Sequence, residues 1–251
     1  MPLPSGRSLS LSRGRRFVVD VMHFARSVPL VAVERRICIP EVAAARLAAE
    51  PKPGWYPLFL KAFGLAALEV ADFRRCYLTF PWPRLYEHGE SVAAVTIERE
   101  LDGEPAVFIF QVTHPETTPL HEIDARLKRM KSAPLHEIAA FRRVLRMSRW
   151  PSPLRRLVWW LGLRVSGPWR QRFYGTFTTA NTANAGGEIV FAPTPLTSYF
   201  TFGEVGTDGS VTLRLFFDHR VTDASPAARF LVAMERALNG PILSELRTGS
   251  P

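Results

Sequence analysis

Leu213-Arg214-Leu215-Phe216-Phe217-Asp218-His219-Arg220-Val221-Thr222-Asp223-Ala224 reads as a strand that runs into a turn and then into a helix. His219 falls where the strand ends, and Asp223 follows four residues later. An imidazole at that point projects into a cleft while the aspartate holds the turn around it. His-x-x-x-Asp recurs by chance, so the rest of the chain decides what it means.

Outward from this segment the pattern mixes strands and helices. Phe173–Thr179, Glu188–Phe191, Ser198–Glu204 and Ser210–Phe217 are β-rich, with a turn over Gly206–Gly209. Downstream, Pro226–Leu238 is helical and reaches Asn239-Gly240, a common C-cap pair. Near the start, Arg15–Arg26 carries Phe17, Val21 and Phe24 on one helical stripe, and Leu30–Ile39 reads as a strand. Pro40 opens a helix over Glu41–Ala49, which the Pro51-Lys52-Pro53-Gly54 cluster ends. Tyr56–Val70 is a long apolar helix, buried on several sides. Ser91–Arg99 and Pro105–Thr113 flank Asp102-Gly103, a strong hairpin signal. Thr118–Met130 places acids in its first turn and cations in its last, as the helix dipole favours. Phe141–Trp150 and Leu154–Leu163 are shorter helices split by Pro151 and Pro153. The fold class is α+β, with residues 1–14 a loose basic tail and 15–251 one domain.

The chain has 251 residues, 47% hydrophobic and 22% charged, a composition that excludes general disorder and disulfide-stapled miniatures. The longest apolar run, Leu157–Leu163, is far short of the ~20 residues of a membrane span, and Met1–Arg16 lacks a signal peptide's apolar core. Cys38 and Cys76 lack metal-ligand spacing and read as buried thiols in a reducing cytoplasm. The net charge of +9 is concentrated rather than spread. From Ile138 to Gly187 there is no acid, while nine arginines (142, 143, 146, 149, 155, 156, 164, 170 and 172) alternate with Trp150, Trp159, Trp160 and Trp169. Such a block suits phosphates or carboxylates, a membrane surface through 150–172, or plain solvation.

The histidines 23, 88, 114, 121, 136 and 219 form no dense ligand cluster, so no metal is expected. No phosphate loop, dinucleotide fingerprint or nucleophile elbow is present, and no stacking platform points to nucleic acid.

Phe217–Ala224 resembles the Asp-His-Arg-x-x-Asp-Gly signature of the dihydrolipoyl acyltransferases of 2-oxo-acid dehydrogenase complexes, whose fold chloramphenicol acetyltransferases share. Gly175-Thr176-Phe177-Thr178-Thr179-Ala180-Asn181, followed by Ala185-Gly186-Gly187, is similar to the family's Gly-Thr-Phe-Thr-x-Ser-Asn…Ala-Gly-Gly segment. Pro195 and Gly203 match its next Pro and Gly. Arg15–Pro29 and Tyr56–Val70 resemble its first helix and its Leu-rich central helix.

The resemblance implies a chloramphenicol acetyltransferase-like two-layer sandwich with a mixed sheet, assembled as a homotrimer or a multiple of it. It implies an active site between subunits, a tunnel admitting coenzyme A, and His219 as general base. The substrate is then a coenzyme A thioester (acyl-CoA) or an acyl carrier protein, with no covalently bound cofactor. Asp223 matches a structural aspartate that pairs with an arginine, for which Arg15, Arg16 and Arg26 are candidates. Ala180 stands where the family has an oxyanion-binding serine. Strand alternation leaves Thr178 on the same face as 180 and turns Thr179 to the other, and Asn181 is a further donor. Ala224 replaces a glycine, which would strain the turn if that position needs positive φ. Residues 131–174 are longer than the family's connection, and Arg155 and Arg156 are candidates for the coenzyme's phosphates. No lipoyl domain fits before the first helix. The implied activity is transfer of an acyl group from a thioester to a thiol, hydroxyl or amine. The alternative is a catalytically weakened trimeric scaffold.

Overall fold

The computed structural model describes residues 6–181 and 186–249. Helix α1 (Arg13–Ala25) leads into β1 (Leu30–Cys38), α2 (Pro40–Ala48) and α3 (Trp55–Glu69). A small hairpin of β2 (Arg75–Leu78) and β3 (Arg84–Glu87) precedes the long hairpin β4 (Val92–Leu101) and β5 (Glu104–Thr113). Four helices follow: α4 (Leu120–Ser132), α5 (Ala139–Met147), α6 (Ser152–Trp160) and α7 (Gly167–Phe173). Then come β6 (Phe177–Thr179), β7 (Ser198–Phe202), β8 (Ser210–Asp218), α8 (Ala224–Ala237) and α9 (Leu243–Thr248).

Six strands form one mixed sheet in the order β1-β8-β7-β6-β4-β5. The outer pairs are antiparallel, whereas β6 runs parallel to both β4 and β7. The fold is therefore α+β, with helices layered on a mixed sheet.

Strand alternation gives the sheet two different faces. One face carries Phe177, Phe200, Phe202 and Leu215 into the main core, against α3 and α8. Phe63 of α3 stacks on Phe177 at 3.6 Å and meets Phe230 of α8 at 4.7 Å, while Phe59 stacks on Phe202 at 4.0 Å. The opposite face is crossed by a row in register: Gln111, Ala94, Thr178, Tyr199 and Phe216. A second, smaller cluster of Phe24, Ala94, Trp159, Leu163 and Leu196 lies on that side, under α1 and α6. The arginine- and tryptophan-rich segment thus roofs one face of the sheet.

Several sequence expectations differ from the structure. Glu188–Phe191 is not a strand; Glu188 is drawn instead to Arg214 at 2.6 Å, and Phe191 packs edge-on against Phe216. Phe173 closes α7 rather than opening a strand, because Ser166 caps that short helix at Trp169 N. The chain does not stop at Asn239-Gly240 but continues through a π turn into α9. Ile242, Leu243 and Leu246 are buried there, and Glu245 accepts from Leu120 N at 2.7 Å. Cys38 is exposed while Cys76 is buried, since Cys38 ends β1 at the open edge of the sheet. Gly175 has φ +94°, and a Cβ there would meet Val92 O at 2.9 Å, so only glycine admits the chain into β6.

His88, buried between β3 and β4, places Nδ1 3.1 Å from Gln171 Oε1 of α7. Burial first, and then the Arg170 charge, hold its pKa down at about 4. The folded state keeps this imidazole neutral where the unfolded chain, near pH 6.5, begins to take up a proton. Proton uptake by the unfolded chain alone lowers stability as pH falls from about 6.5 to about 4, with no further loss below. Urea midpoints across pH 4–7 for the wild type and His88→Gln check this: the substitution should flatten the slope in that window.

Candidate functional site

Strand β8 delivers His219 to the edge of the sheet, where its backbone N–H donates to Pro29 O at 3.0 Å. The turn that follows is held by side chains. Asp218, almost fully buried, accepts from Arg220 N at 3.0 Å, Nε at 2.9 Å and Nη2 at 2.7 Å. Thr222 Oγ1 donates to Asp72 Oδ2 at 2.9 Å, and Asp72 also pairs with Arg75. These bonds fix the Thr222 carbonyl, which lies 3.1 Å from His219 Nδ1. Asp223 Oδ1 is 3.1 Å from the same nitrogen. Both neighbours of Nδ1 are acceptors, so in the neutral ring this nitrogen carries the proton and Nε2 the lone pair. An imidazole held this way can take a proton at Nε2.

Asp223 therefore departs from the expected arrangement. Its ion-pair partner among the described residues is His219, not Arg15, Arg16 or Arg26. It occupies the exposed N-cap position of α8. Ala224 opens α8 without strain, since the described non-glycine residues with positive φ are Asp102 and His114.

Thr178 sits in the middle of β6 and faces away from the main core. Its hydroxyl is 2.7 Å from Thr194 Oγ1, which accepts from Leu196 N. Thr179 faces the other way, with its hydroxyl 3.1 Å from the Tyr56 hydroxyl of α3. This is the alternation expected of a strand. Asn181 follows β6 by two residues, and Ala185 lies outside the described residues.

Thr178 and His219 of one chain do not meet. Thr178 is in register with Tyr199 and Phe216, two strands across, and His219 is three residues beyond Phe216. Two strand spacings and three residues of rise separate their backbones by about 14 Å.

Arg155 and Arg156 do not form an open phosphate site. Arg155 is 8% exposed and bonds Asp20 of α1 at 2.6 Å, and Arg156 Nε lies 3.9 Å from the same carboxylate. Arg164 and Arg170 are buried as well, Arg170 donating to Leu163 O and Pro195 O. The nine arginines are thus not one solvated face. Arg143 and Arg172 are exposed, with guanidiniums 4.9 and 5.6 Å from the ring centroid of Phe173.

Among the described residues no group of three His, Cys, Asp or Glu side chains could hold a metal, and no helix is long and apolar enough to cross a membrane. The site's other feature is a cavity of about 650 Å³ on the Thr178 face of the sheet, roofed by α1, α5, α6 and α7. The sequence held no direct signal of it. The alternation of Ala94, Thr96, Ile109 and Gln111 with core residues was the available clue.

No protein-family model matches the chain, and no curated protein matches it by sequence. Solved structures do match. A probable dihydrolipoamide acetyltransferase from Listeria monocytogenes is 13% identical with a TM-score of 0.66, covering 93% of this chain and 94% of that one. The dihydrolipoamide acetyltransferase of Azotobacter vinelandii is 19% identical at the same TM-score, over 96% and 98% of the two chains. A chloramphenicol acetyltransferase is 15% identical with a TM-score of 0.52, over 91% and 96%. The chain has the chloramphenicol acetyltransferase-like fold of these proteins.

The Nδ1–H assignment has a direct test. Nitrogen chemical shifts of the neutral His219 ring should show a protonated Nδ1 and a bare Nε2, and the reverse tautomer would remove Nε2 as an acceptor.

Proposed function

We propose that this chain is an acyltransferase that moves an acyl group from a thioester to a thiol, hydroxyl or amine, with His219 as general base. The observation that carries the reading is the pinned His219 imidazole, whose free Nε2 stands at the end of a sheet strand in an acyltransferase-like fold. Nε2 takes the proton of the acceptor as its sulfur, oxygen or nitrogen bonds to the thioester carbon. The tetrahedral intermediate then collapses, the C–S bond breaks, and the departing thiolate takes a proton from the imidazolium. The charge on the intermediate's oxygen calls for a fixed donor, worth roughly 2.7–4 kcal/mol. Thr178 and Asn181 are the candidates, Ala180 having no hydroxyl.

The separation of His219 from Thr178 within one chain supports a site completed by a neighbouring subunit, in a homotrimer or a multiple of it. The Azotobacter protein of the same fold is a dihydrolipoamide acetyltransferase, and another similar structure (17% identical, TM-score 0.66) is the cubic core of a pyruvate dehydrogenase multienzyme complex. The proposed donor is an acyl-CoA or the thioester of an acyl carrier protein, used as substrate.

Thiol release from a panel of acyl-CoA donors, with dithiol, alcohol and amine acceptors, tests the reading. His219→Ala should abolish turnover, and Thr178→Val should lower it by ~10²-fold or more with the fold intact. Sedimentation should give a trimer of the 28.2 kDa chain or a multiple. The absence of turnover from wild type with every donor and acceptor, in a stable trimer, would favour the scaffold alternative that Ala180 suggests.

A further inference from the structure

The cavity above the Thr178 face has an unusual division of polarity. Several of its interior polar groups are already paired: Asp20 with Arg155 at 2.6 Å, Thr178 with Thr194 at 2.7 Å, and the Tyr174 hydroxyl with Val158 O at 3.3 Å. Most of what faces inward is apolar surface, from residues such as Val21, Ile109 and Trp159. A volume of about 650 Å³ falls within the range of small-molecule sites.

The exposed part of the lining is different. Arg143 of α5 and Arg172 of α7 stand together on the ring of Phe173, and among the described residues neither has an ion-pair or hydrogen-bond partner. The stretch Ile138–Gly187 has no acid to neutralise them, and the one nearby buried carboxylate, Asp20, is bound to Arg155. Two unpaired cations at the mouth of a mainly apolar interior match a ligand with an aliphatic body and an anionic end.

We propose that this cavity binds one long-chain carboxylate, with its chain over Val21 and Ile109 and its carboxylate between Arg143 and Arg172. The site lies in the roof supplied by the arginine- and tryptophan-rich segment. It goes beyond the acyl-transfer reading, because occupancy needs neither His219 nor turnover. The apolar chain supplies affinity by leaving water, and the guanidiniums select the charged end.

Calorimetric titration of the full chain with dodecanoate, dodecanol and acetate tests the proposal. Dodecanoate should bind about tenfold more tightly than dodecanol, the increment of one charge-assisted contact, and acetate should give no heat. Ile109→Trp, which fills the cavity, should abolish dodecanoate binding. Arg143→Gln combined with Arg172→Gln, both on the surface, should leave dodecanoate and dodecanol equal. The proposal is overturned if the arginine pair can be removed without loss of that preference, or if folded Ile109→Trp binds dodecanoate as the wild type does. His219→Ala should bind normally, so failure of transfer and failure of binding are read separately.

Discussion

Phe177 stacks on Phe63 at 3.6 Å, and the orientation of the whole central sheet follows from that contact. Strand β6 has three residues, too few to hold its register by its own ladder. Phe177 drives into the core against α3, and a strand's alternation then turns Thr178 to the opposite face and Thr179 back. A slip of one residue would bury Thr178 in the phenylalanine cluster and expose Phe177. The aromatic stack therefore decides which side of the sheet can carry a hydroxyl, a cavity and a ligand.

The two faces of the sheet answer to different physics. The α3–α8 face is a packed interior, where Phe59, Phe63, Phe200 and Phe230 exclude water and leave no room for a substrate. The other face is roofed by helices that carry many arginines and cannot fill it as densely. Those arginines divide by role. Arg155 neutralises Asp20, Arg164 and Arg170 brace loops through backbone carbonyls and hydroxyls, and Arg143 and Arg172 remain at the mouth. Burying a guanidinium is costly unless its donors find partners; the first three find them, Arg170 Nε excepted, and the last two stay exposed.

His219 depends on a longer chain of support than its own motif. Arg75 holds Asp72, Asp72 receives Thr222, and the carbonyl of Thr222 receives the imidazole. Asp218 fixes the other side of the turn through Arg220. A reactive imidazole at a solvent-facing strand end has two free torsions, and such a scaffold removes that freedom before a substrate arrives.

The sequence alone determined the elements whose information is local. The Asp102-Gly103 hairpin, the apolar helix after Gly54 and the strand running into Asp218-His219 were legible, because turn chemistry and periodicity act over a few residues. The position of His219 and the opposed faces of Thr178 and Thr179 were legible for the same reason. Tertiary structure decided what depends on distant partners. The acid opposite Arg155 is 135 residues away, and the partner of Asp223 is His219 rather than an arginine of α1. The helix past Gly240 is held by Lys61 and Leu120, far upstream in the chain. The cavity had no motif at all: it is the space left where a sheet face and four helices fail to close, and local sequence cannot encode a gap between elements it does not contain.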